Sequence, residues 1–365
     1  MTVEILHPRV DAERIAALRA PGSGVRYVDG WIGIDADPAL RGPAGGAFHP
    51  DDPASVERAS RYVLFPWRRT LVRLPDSGLF HRVRTTRNRH LIDAGEQRRW
   101  RTARIGIAGL SVGGSVLTAC ALTGARRFRL TDPDTLALSN LNRLTASVCD
   151  LGAAKTELAE RRVLELDPYA ETARFDAGYR PELAAEFLGA GADSLSVLFE
   201  EMDDLPMKVA IRLQARERGI PVLMVTDNGD NVILDVERFD LDRRYPLFHG
   251  RAGDLGRFTE ADLREPRTRA ALATAIVGTD VTPRTRFSLS EVGRTLPTWP
   301  QLGTAAVAAG AFGAFAARML VCGAELESGR YRLDLDRAVF GEAADRADRW
   351  NELGAEEFAA RLRTG

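Results

Sequence analysis

The sequence predicts an α/β fold: a doubly wound, mostly parallel sheet with helices on both faces. Between residues 104 and 225, short apolar runs alternate with helical segments at the spacing of βαβ units. The first of these runs ends in a glycine-rich turn. With 365 residues, 45% apolar and 28% charged, the chain is long enough for such a domain together with an extension.

The elements of this pattern can be assigned in order along the chain. Apolar runs bounded by turn residues predict buried strands at 104–109, 127–132, 172–175, 195–199 and 221–225. The segments between them predict helices at 111–124, 151–166, 183–188 and 206–218. A polar stretch over 243–298 then precedes a predicted helix of small residues at 301–322.

The N-terminal part has a different character. It is rich in Gly, Pro and Arg, and strand-like pieces occur only at 25–34 and 62–74. We therefore predict an irregular α+β extension over residues 1–84, the main domain over 85–335 and a helical tail over 336–365.

Charge and cysteine content exclude several classes of protein. The balance of fifty basic against fifty-one acidic residues argues against nucleic acid as the main partner. The three cysteines are far apart and form no CxxC pair, which argues against a zinc ribbon or a disulfide framework. The first residues have no signal-like apolar core, and the charge-free apolar stretch 303–317 is short for a bilayer. We therefore expect a cytoplasmic protein without membrane contact.

The glycine-rich turn indicates a nucleotide site. It contains Gly109, Ser111, Gly113 and Gly114, and the N-terminus of the helix that follows can bind an anion. Asp132 ends the next strand, where an acid commonly binds ribose hydroxyls. Up to this point, an NAD(P)-dependent oxidoreductase fits as well as an ATP-dependent enzyme.

The next motif separates these two possibilities. Residues 139–143 read Ser-Asn-Leu-Asn-Arg, and Lys155, one of only two lysines, follows twelve residues later. A glycine-rich turn, an acid-x-acid strand end (Asp132 and Asp134), this string and a helix-opening lysine resemble the ThiF/MoeB family of adenylating enzymes. The resemblance covers roughly residues 85–335. It implies a Rossmann-like domain of the ThiF/E1-like type.

The resemblance also implies a chemistry: ATP- and Mg2+-dependent adenylation of a carboxylate on a peptide, an amino acid or a small acid. This reaction brings two anions together, so cations are required around the triphosphate. Arg143 and Lys155 would supply them, and Asp203, in a pair that resembles the family's Asp-Asn, would hold Mg2+. The resemblance assigns the nucleotide to Gly109, Ser111, Gly113, Gly114, Asp132, Asp134, Asn140, Asn142, Arg143 and Lys155.

The resemblance extends upstream to a possible dimer contact. Arg87-Asn88-Arg89 is similar to a segment whose arginine enters the neighbouring subunit's site, which implies a homodimer with Arg89 acting in trans. A second reason for expecting a dimer is the small-residue helix, whose face of Ala305, Ala309, Phe312 and Ala316 could pack closely against another element.

The cysteine positions narrow the reaction. Many relatives carry a catalytic cysteine in the second half of the domain, but none occurs between Cys149 and Cys322. Zinc-binding cysteine pairs are also missing from the sequence. We therefore expect direct attack by a non-cysteine nucleophile, giving amide formation, cyclisation or dehydration. The N-terminal extension is interpreted either as a substrate clamp or as a scaffold.

Two alternatives remain open at this stage. One is an NAD(P)-binding oxidoreductase, which would leave Arg143, Lys155 and Asp203 unexplained. The other is a catalytically inactive nucleotide-binding module, because Ser111 stands where a strict Gly-x-Gly-x-x-Gly motif has its second glycine.

Overall fold

The computed structural model describes residues 2–32, 48–345 and 352–364. The chain divides into two compact units. The first unit comprises residues 1–101, 121–126 and 161–170, and the second comprises residues 102–120, 127–160 and 171–365. The sequence-based boundaries after residues 84 and 335 stay predictions.

The first unit is built on a small mixed sheet. Its elements are β1 (Glu4–Leu6), α1 (Ala12–Arg19), β2 (Arg26–Asp29), α2 (Pro53–Arg58), β3 (Ser60–Phe65), β4 (Thr70–Pro75), α3 (Ser77–Arg84) and α4 (Ala94–Thr102). The strand order is β1-β3-β4-β2, in which only β2 and β4 run parallel. The strand-like run predicted at 62–74 is thus a hairpin. Pro66 opens its turn, and Arg69 takes a left-handed backbone with φ of 46°. Of the piece predicted at 25–34, residues 33–34 lie outside the described residues.

The remaining elements follow in chain order. They are β5 (Arg104–Ala108), α5 (Val112–Leu122), β6 (Arg127–Thr131), α6 (Lys155–Leu166), β7 (Glu171–Phe175), α7 (Ala184–Leu188), β8 (Val197–Glu200), α8 (Leu205–Arg218), β9 (Val222–Asn228), β10 (Asn231–Glu237), α9 (Glu260–Arg264), α10 (Pro266–Val277), α11 (Pro283–Ser290), α12 (Gly303–Cys322), β11 (Gly329–Leu333), α13 (Leu335–Phe340) and α14 (Ala355–Thr364).

The second unit contains the predicted doubly wound sheet. Its strand order is β11-β10-β9-β8-β5-β6-β7, and the five strands from β5 to β9 pair in parallel. Burial on both faces explains why the inner strands β5, β8 and β9 read as apolar runs in the sequence, whereas β7 lies at the edge and is less buried. The order reverses between β5 and β8, and ligands bind at the carboxyl edge of such a reversal.

Two features of the second unit differ from the prediction. The helix predicted from residue 151 begins at Lys155, because the preceding turn pairs with residue 136 through Gly152 N to Leu136 O and Leu136 N to Ala153 O. The sheet is also extended by two antiparallel strands, β10 and β11, which were not among the predicted strands although β10 contains the apolar run Val-Ile-Leu.

Helix α12 lies inside the second unit. Two glycines let this helix pack closely against α5 and β8. A Cβ on Gly310 would lie 2.7 Å from the Ser115 backbone, and a Cβ on Gly313 would lie 3.0 Å from the Phe199 side chain. Although its length and hydropathy alone would suit a membrane span, Ala305, Ala309 and Ala316 are buried within the chain. The prediction that this face packs against a second copy is therefore wrong, because its own unit already covers it.

Candidate nucleotide-binding site

The glycine-rich turn between β5 and α5 passes close to the loop that follows β8. Gly109 has φ of +93°, and a Cβ there would lie 2.5 Å from the Glu201 carbonyl oxygen. A Cβ on Gly113 would lie 2.8 Å from the Ile107 side chain, so this glycine lets α5 approach β5. Each glycine therefore has a steric reason, and the turn presents the N-terminus of α5 at the carboxyl edge of the sheet.

Ser111, the departure from the glycine motif, has a partner of its own. Arg143 Nε donates a hydrogen bond of 2.8 Å to the Ser111 hydroxyl oxygen. A glycine at this position could not accept that bond. The serine thus helps to position the Arg143 guanidinium at the turn, which gives a structural reason for serine at the place of the motif's second glycine.

Arg143 is held on several sides. Its Nη1 donates to Ser139 O at 3.2 Å and to Asn142 Oδ1 at 2.9 Å. Burial lowers the pKa of the guanidinium, opposed by the nearby carboxylates of Asp227 and Asp203. Arginine stays charged under these conditions. The side chain is therefore an oriented, half-buried cation between the turn and the ends of β8 and β9.

The strand-end acids lie beside Lys155, as the motif predicted. Lys155 Nζ lies 2.7 Å from Asp134 Oδ2 and 3.7 Å from Asp132 Oδ1, and its side chain is 9% exposed. Asp132 accepts from the backbone N–H groups of Leu110 at 2.7 Å and Asp134 at 2.9 Å. Burial raises the pKa of Asp132, and Lys155 opposes that rise. Asp132 therefore ties the glycine-rich turn to the end of β6.

The two asparagines of the motif are engaged within the chain. Asn140 Oδ1 accepts from Ala137 N at 2.9 Å and closes the short turn over residues 138–140. Asn142 Nδ2 donates to Gln301 O at 2.8 Å, just before α12. The structure thus gives both side chains a role in shaping the loop that carries Arg143. Their predicted contacts with the nucleotide stay predictions.

The charged residues at and after the end of β8 have different roles. Asp203 is exposed, whereas Asp204 caps α8 by accepting from Met207 N at 3.3 Å. Lys208 Nζ lies 2.8 Å from Glu200 Oε2, so it belongs to an ion pair that links α8 to β8. Asp203 is thus the member of this loop that is placed to meet a metal ion in solution, and its Mg2+ role stays a prediction.

Arg89 lies in the first unit and is exposed. The adjacent Asn88 donates to Gln97 Oε1 at 3.1 Å and to Thr123 O at 3.3 Å, which anchors the segment inside that unit. The other predicted site residues belong to the second unit. The contribution of Arg89 to a site therefore stays a prediction.

Sequence reasoning missed Asp227 at the end of β9. Its residue is 3% exposed, and neither carboxylate oxygen has a hydrogen bond of acceptable geometry within the described residues. Burial raises its pKa to about 7, opposed first by Arg143 and then by Gln301. The available signal was an aspartate near the end of an apolar strand: Asp227 is the last residue but one of β9, and Asp132 directly follows β6.

The three cysteines differ in their exposure. Cys120 is buried, which raises the pKa of its thiol, while Cys149 is exposed and Cys322 is half-buried. Within residues 2–32, 48–345 and 352–364, no group of three or more His, Cys, Asp or Glu side chains could hold a metal ion. A carboxylate such as Asp203 together with phosphate oxygens and water would suit Mg2+.

Comparison with protein families identifies the domain. Residues 85–228 match the model of the ThiF family. These residues form a ThiF-family domain. The matched range includes the glycine-rich turn, Arg143, Lys155, Asp203 and Asp227, so the family resemblance predicted from the motifs is confirmed.

Curated relatives support the same relationship. A protein of Mycobacterium tuberculosis (strain CDC 1551 / Oshkosh), "Uncharacterized protein MT1398", is 39% identical over 289 residues, which cover 79% of this chain and 40% of that protein. The tRNA threonylcarbamoyladenosine dehydratase of Bacillus subtilis (strain 168) is 27% identical over 122 residues, covering 33% of this chain and 46% of that enzyme. The chain thus spans less than half the length of these relatives.

Solved structures show weaker likeness. The E. coli tRNA N6-threonylcarbamoyladenosine dehydratase TcdA in complex with ATP has a TM-score of 0.47 and 18% identity, covering 66% of this chain and 94% of that chain. E. coli MccB with MccA-N7isoASN has a TM-score of 0.47 and 13% identity, covering 71% and 67%. Both TM-scores lie under 0.5, so neither likeness carries an inference about substrate.

Proposed function

We propose that the ThiF-family domain of this chain binds ATP with Mg2+ and adenylates a carboxylate. The observation that carries the proposal is the placement of two cations around the glycine-rich turn. Arg143 is bonded to Ser111 within that turn, and Lys155 lies between Asp132 and Asp134 at the adjoining strand end. A nucleotide triphosphate is an anion that such a site would attract.

Each residue then has a defined task. The backbone at Gly109–Ser115 and Asp132 would hold the nucleoside, with the ribose hydroxyls donating to Asp132. Arg143 would orient the phosphates, and Lys155 would exchange its contact with Asp134 for a phosphate oxygen as charge develops. Asp203 would hold Mg2+ with phosphate oxygens and water, and the metal supplies charge neutralisation at the leaving pyrophosphate.

The reaction proceeds in two displacements. A carboxylate oxygen of the substrate attacks the α-phosphorus, the bond to the bridging oxygen breaks, and pyrophosphate leaves. A nitrogen or oxygen nucleophile then attacks the acyl carbon of the adenylate, AMP leaves, and the nucleophile loses a proton. The absence of a cysteine from residues 150–321 supports direct attack over a thioester.

The test is ATP–pyrophosphate exchange with Mg2+ and a panel of carboxylic acids. We expect exchange that requires both Mg2+ and one class of acid, and calorimetric binding of ATP without comparable binding of NADH. Binding of NADH with no binding of ATP would instead support an oxidoreductase and overturn the proposal.

We further propose a homodimer in which Arg89 acts in the partner's site. The support is the segment Arg87-Asn88-Arg89, since the face of α12 no longer contributes. Mixing inactive Arg89→Ala and Lys155→Ala chains should restore roughly a quarter of wild-type activity, because about half of the dimers are mixed and each has one intact site. No recovery after demonstrated subunit exchange would place Arg89 outside the partner's site.

The first unit is proposed as the substrate clamp. It contains an open groove of about 390 Å³ lined by α1 together with Glu57 and Tyr62. The groove offers apolar side chains from Ile15 and Ala16 and a cation from Arg19. Loss of exchange with a peptide acid but not with a small acid in a variant of the exposed groove residue Ala16, Ala16→Asp, would support the clamp. Equal effects on both acids would favour a scaffold.

A further inference from the structure

Asp227 is a buried carboxylate whose oxygens lack hydrogen bonds. Its residue is 3% exposed, and neither Oδ1 nor Oδ2 accepts a bond from the described residues. A buried polar group without a partner is costly, and nearly all such groups in folded proteins are satisfied. A carboxylate kept in this state at the edge of a binding site indicates a donor that arrives with the ligand.

The neighbours of Asp227 do not supply that donor. Arg143 is the charged group that most favours its ionised form, yet the hydrogen bonds described for Arg143 go from Nε and Nη1 to Ser111, Ser139 and Asn142. Gln301 makes one weak side-chain hydrogen-bond contact that favours the charged form of Asp227. Neither carboxylate oxygen has a hydrogen bond of good geometry within the described residues, so each can accept one from a ligand.

The sheet topology separates Asp227 from the nucleoside end of the site. Asp132 follows β6, the glycine-rich turn follows β5, and Asp227 ends β9, three strands away from β6. Three strand spacings correspond to about 14 Å. The donors of ATP are on its base and ribose, whereas its phosphate oxygens are acceptors. The donors of a nucleotide held at Asp132 therefore lie at a distance from Asp227, which is three strands further along the same edge of the sheet.

We propose that Asp227 is a specificity residue that accepts a hydrogen bond from an N–H or O–H group of the acid being activated. The proposal rests on the adenylation function proposed above. The Asp227 carboxylate would select acids that carry an ammonium, an amide N–H or a hydroxyl near the carboxylate to be activated, such as amino acids, peptide C-termini and hydroxy acids. Plain alkyl and aryl acids lack the donor and leave Asp227 unsatisfied.

The experiment compares paired acids in ATP–pyrophosphate exchange. The two acids of each pair differ by one donor group near the carboxylate. Examples are alanine with propionate, lactate with propionate, and phenylalanine with 3-phenylpropionate. For the wild-type chain we expect kcat/KM for the preferred donor-bearing acid to exceed that of its partner by roughly 10-fold or more, the size of a hydrogen bond to a charged group.

Variants then test whether Asp227 is the source of this preference. Asp227→Ala should raise KM for the donor-bearing acid and reduce the preference to less than about threefold, while leaving KM for ATP within about twofold. Asp227→Asn keeps the shape of the side chain and an acceptor oxygen, so its preference should lie between that of the wild-type chain and that of Asp227→Ala. Asp230→Ala is the matched control, since Asp230 lies on the adjoining turn and accepts from Thr304 at the start of α12.

The outcomes separate the two proposals. Exchange that is equal across the pairs in the wild-type chain, or a preference unchanged in both Asp227 variants, overturns the assignment of Asp227 and leaves adenylation standing. ATP binding with no exchange for any acid contradicts the adenylation itself and removes the assignment with it. A preference lost in the Asp227 variants and kept in Asp230→Ala supports the assignment.

Discussion

Two groups of charged side chains in the second unit have opposite character. The paired cluster consists of Glu200, Lys208, Arg212 and Glu237, between β8, α8 and β10. Arg212 Nε lies 2.7 Å from Glu237 Oε2, and its Nη1 also bonds Glu200. Glu200, Arg212 and Glu237 are almost fully buried, and each has an opposite charge in contact.

The edge cluster consists of Asp132, Arg143, Lys155, Asp203 and Asp227, at the carboxyl ends of the strands. Here Asp203 is exposed, Asp227 is buried without a hydrogen bond, and Arg143 is held by neutral groups. The charges of the paired cluster satisfy one another, whereas no salt bridge is described for Arg143, Asp203 or Asp227 of the edge cluster. The difference indicates which charges serve the fold and which can serve a ligand.

The largest effect is expected from breaking the paired cluster. Arg212→Met removes the cation shared by Glu200 and Glu237 and leaves buried carboxylates with fewer partners. We expect a loss of about 3–5 kcal/mol in the free energy of unfolding, the usual result of removing one member of a buried pair. Urea unfolding measures it. Arg216→Met, on the same helix, is the control, and a loss of similar size there would remove the special role of the cluster.

Activity should respond most strongly to Lys155 in the edge cluster. Lys155→Ala removes a cation proposed to meet the phosphates, and we expect exchange to fall roughly 10²- to 10³-fold, as when a single charge-stabilising donor is deleted. Circular dichroism should report a folded chain. An exchange rate within a few-fold of wild type would exclude Lys155 from phosphate stabilisation.

The fold was predictable where the sequence pattern was local. Strands β5, β6 and β8 are apolar runs because both faces of a parallel sheet are covered, and such runs are visible without knowledge of their partners. The turn at Gly109, the acids Asp132 and Asp134 and the lysine opening α6 were found in the same way. Their order along the chain carried the family resemblance.

The rest depended on contacts between distant residues. Strand β10 carries the buried acids Asp235 and Glu237, which are neutralised by Arg330 and Arg212 from 95 and 25 residues away. The partner of Ser111 is Arg143, 32 residues on, so the departure from the glycine motif looked like a defect. Asp227 was missed because its lack of a partner is a property of the folded chain.

The two acids of the loop after β8 provide a matched comparison. Asp203→Asn should retain most ATP binding and lose roughly 10²-fold in exchange, because a metal-holding carboxylate matters most as charge develops on the pyrophosphate. Asp204→Asn is the control, since its side chain caps α8. Calorimetry gives binding and exchange gives turnover. Unchanged turnover in Asp203→Asn would remove this carboxylate from the mechanism.

A pH-dependent effect on stability should follow from Asp227. Its folded pKa, raised from 3.8 to about 7, means that the native state binds more protons than the unfolded state between those values. The free energy of unfolding therefore falls as pH rises through that window, by up to ~1.4 kcal/mol per pH unit, and the contribution of Asp227 does not change further above it. Asp227→Asn should melt at a higher temperature than wild type at pH 8 and at a similar temperature at pH 4. An equal shift at both pH values would contradict the titration.

The smallest effect is expected from the cysteines, which belong to neither cluster. Cys120 is buried, so alanine is the suitable replacement there, and serine suits Cys149 and Cys322. The triple variant Cys120→Ala, Cys149→Ser, Cys322→Ser should keep ATP–pyrophosphate exchange and product formation within about twofold of wild type, after correction for any loss of folded protein from the small cavity at Cys120. The reason is chemical: direct attack on the adenylate requires no thiol, and the raised pKa of the buried Cys120 thiol makes it a poor nucleophile. Mass spectrometry of the wild-type chain under turnover, without reductant, is the sharper measurement, because a thioester or persulfide on any cysteine would show that the activated carboxylate passes through sulfur after all.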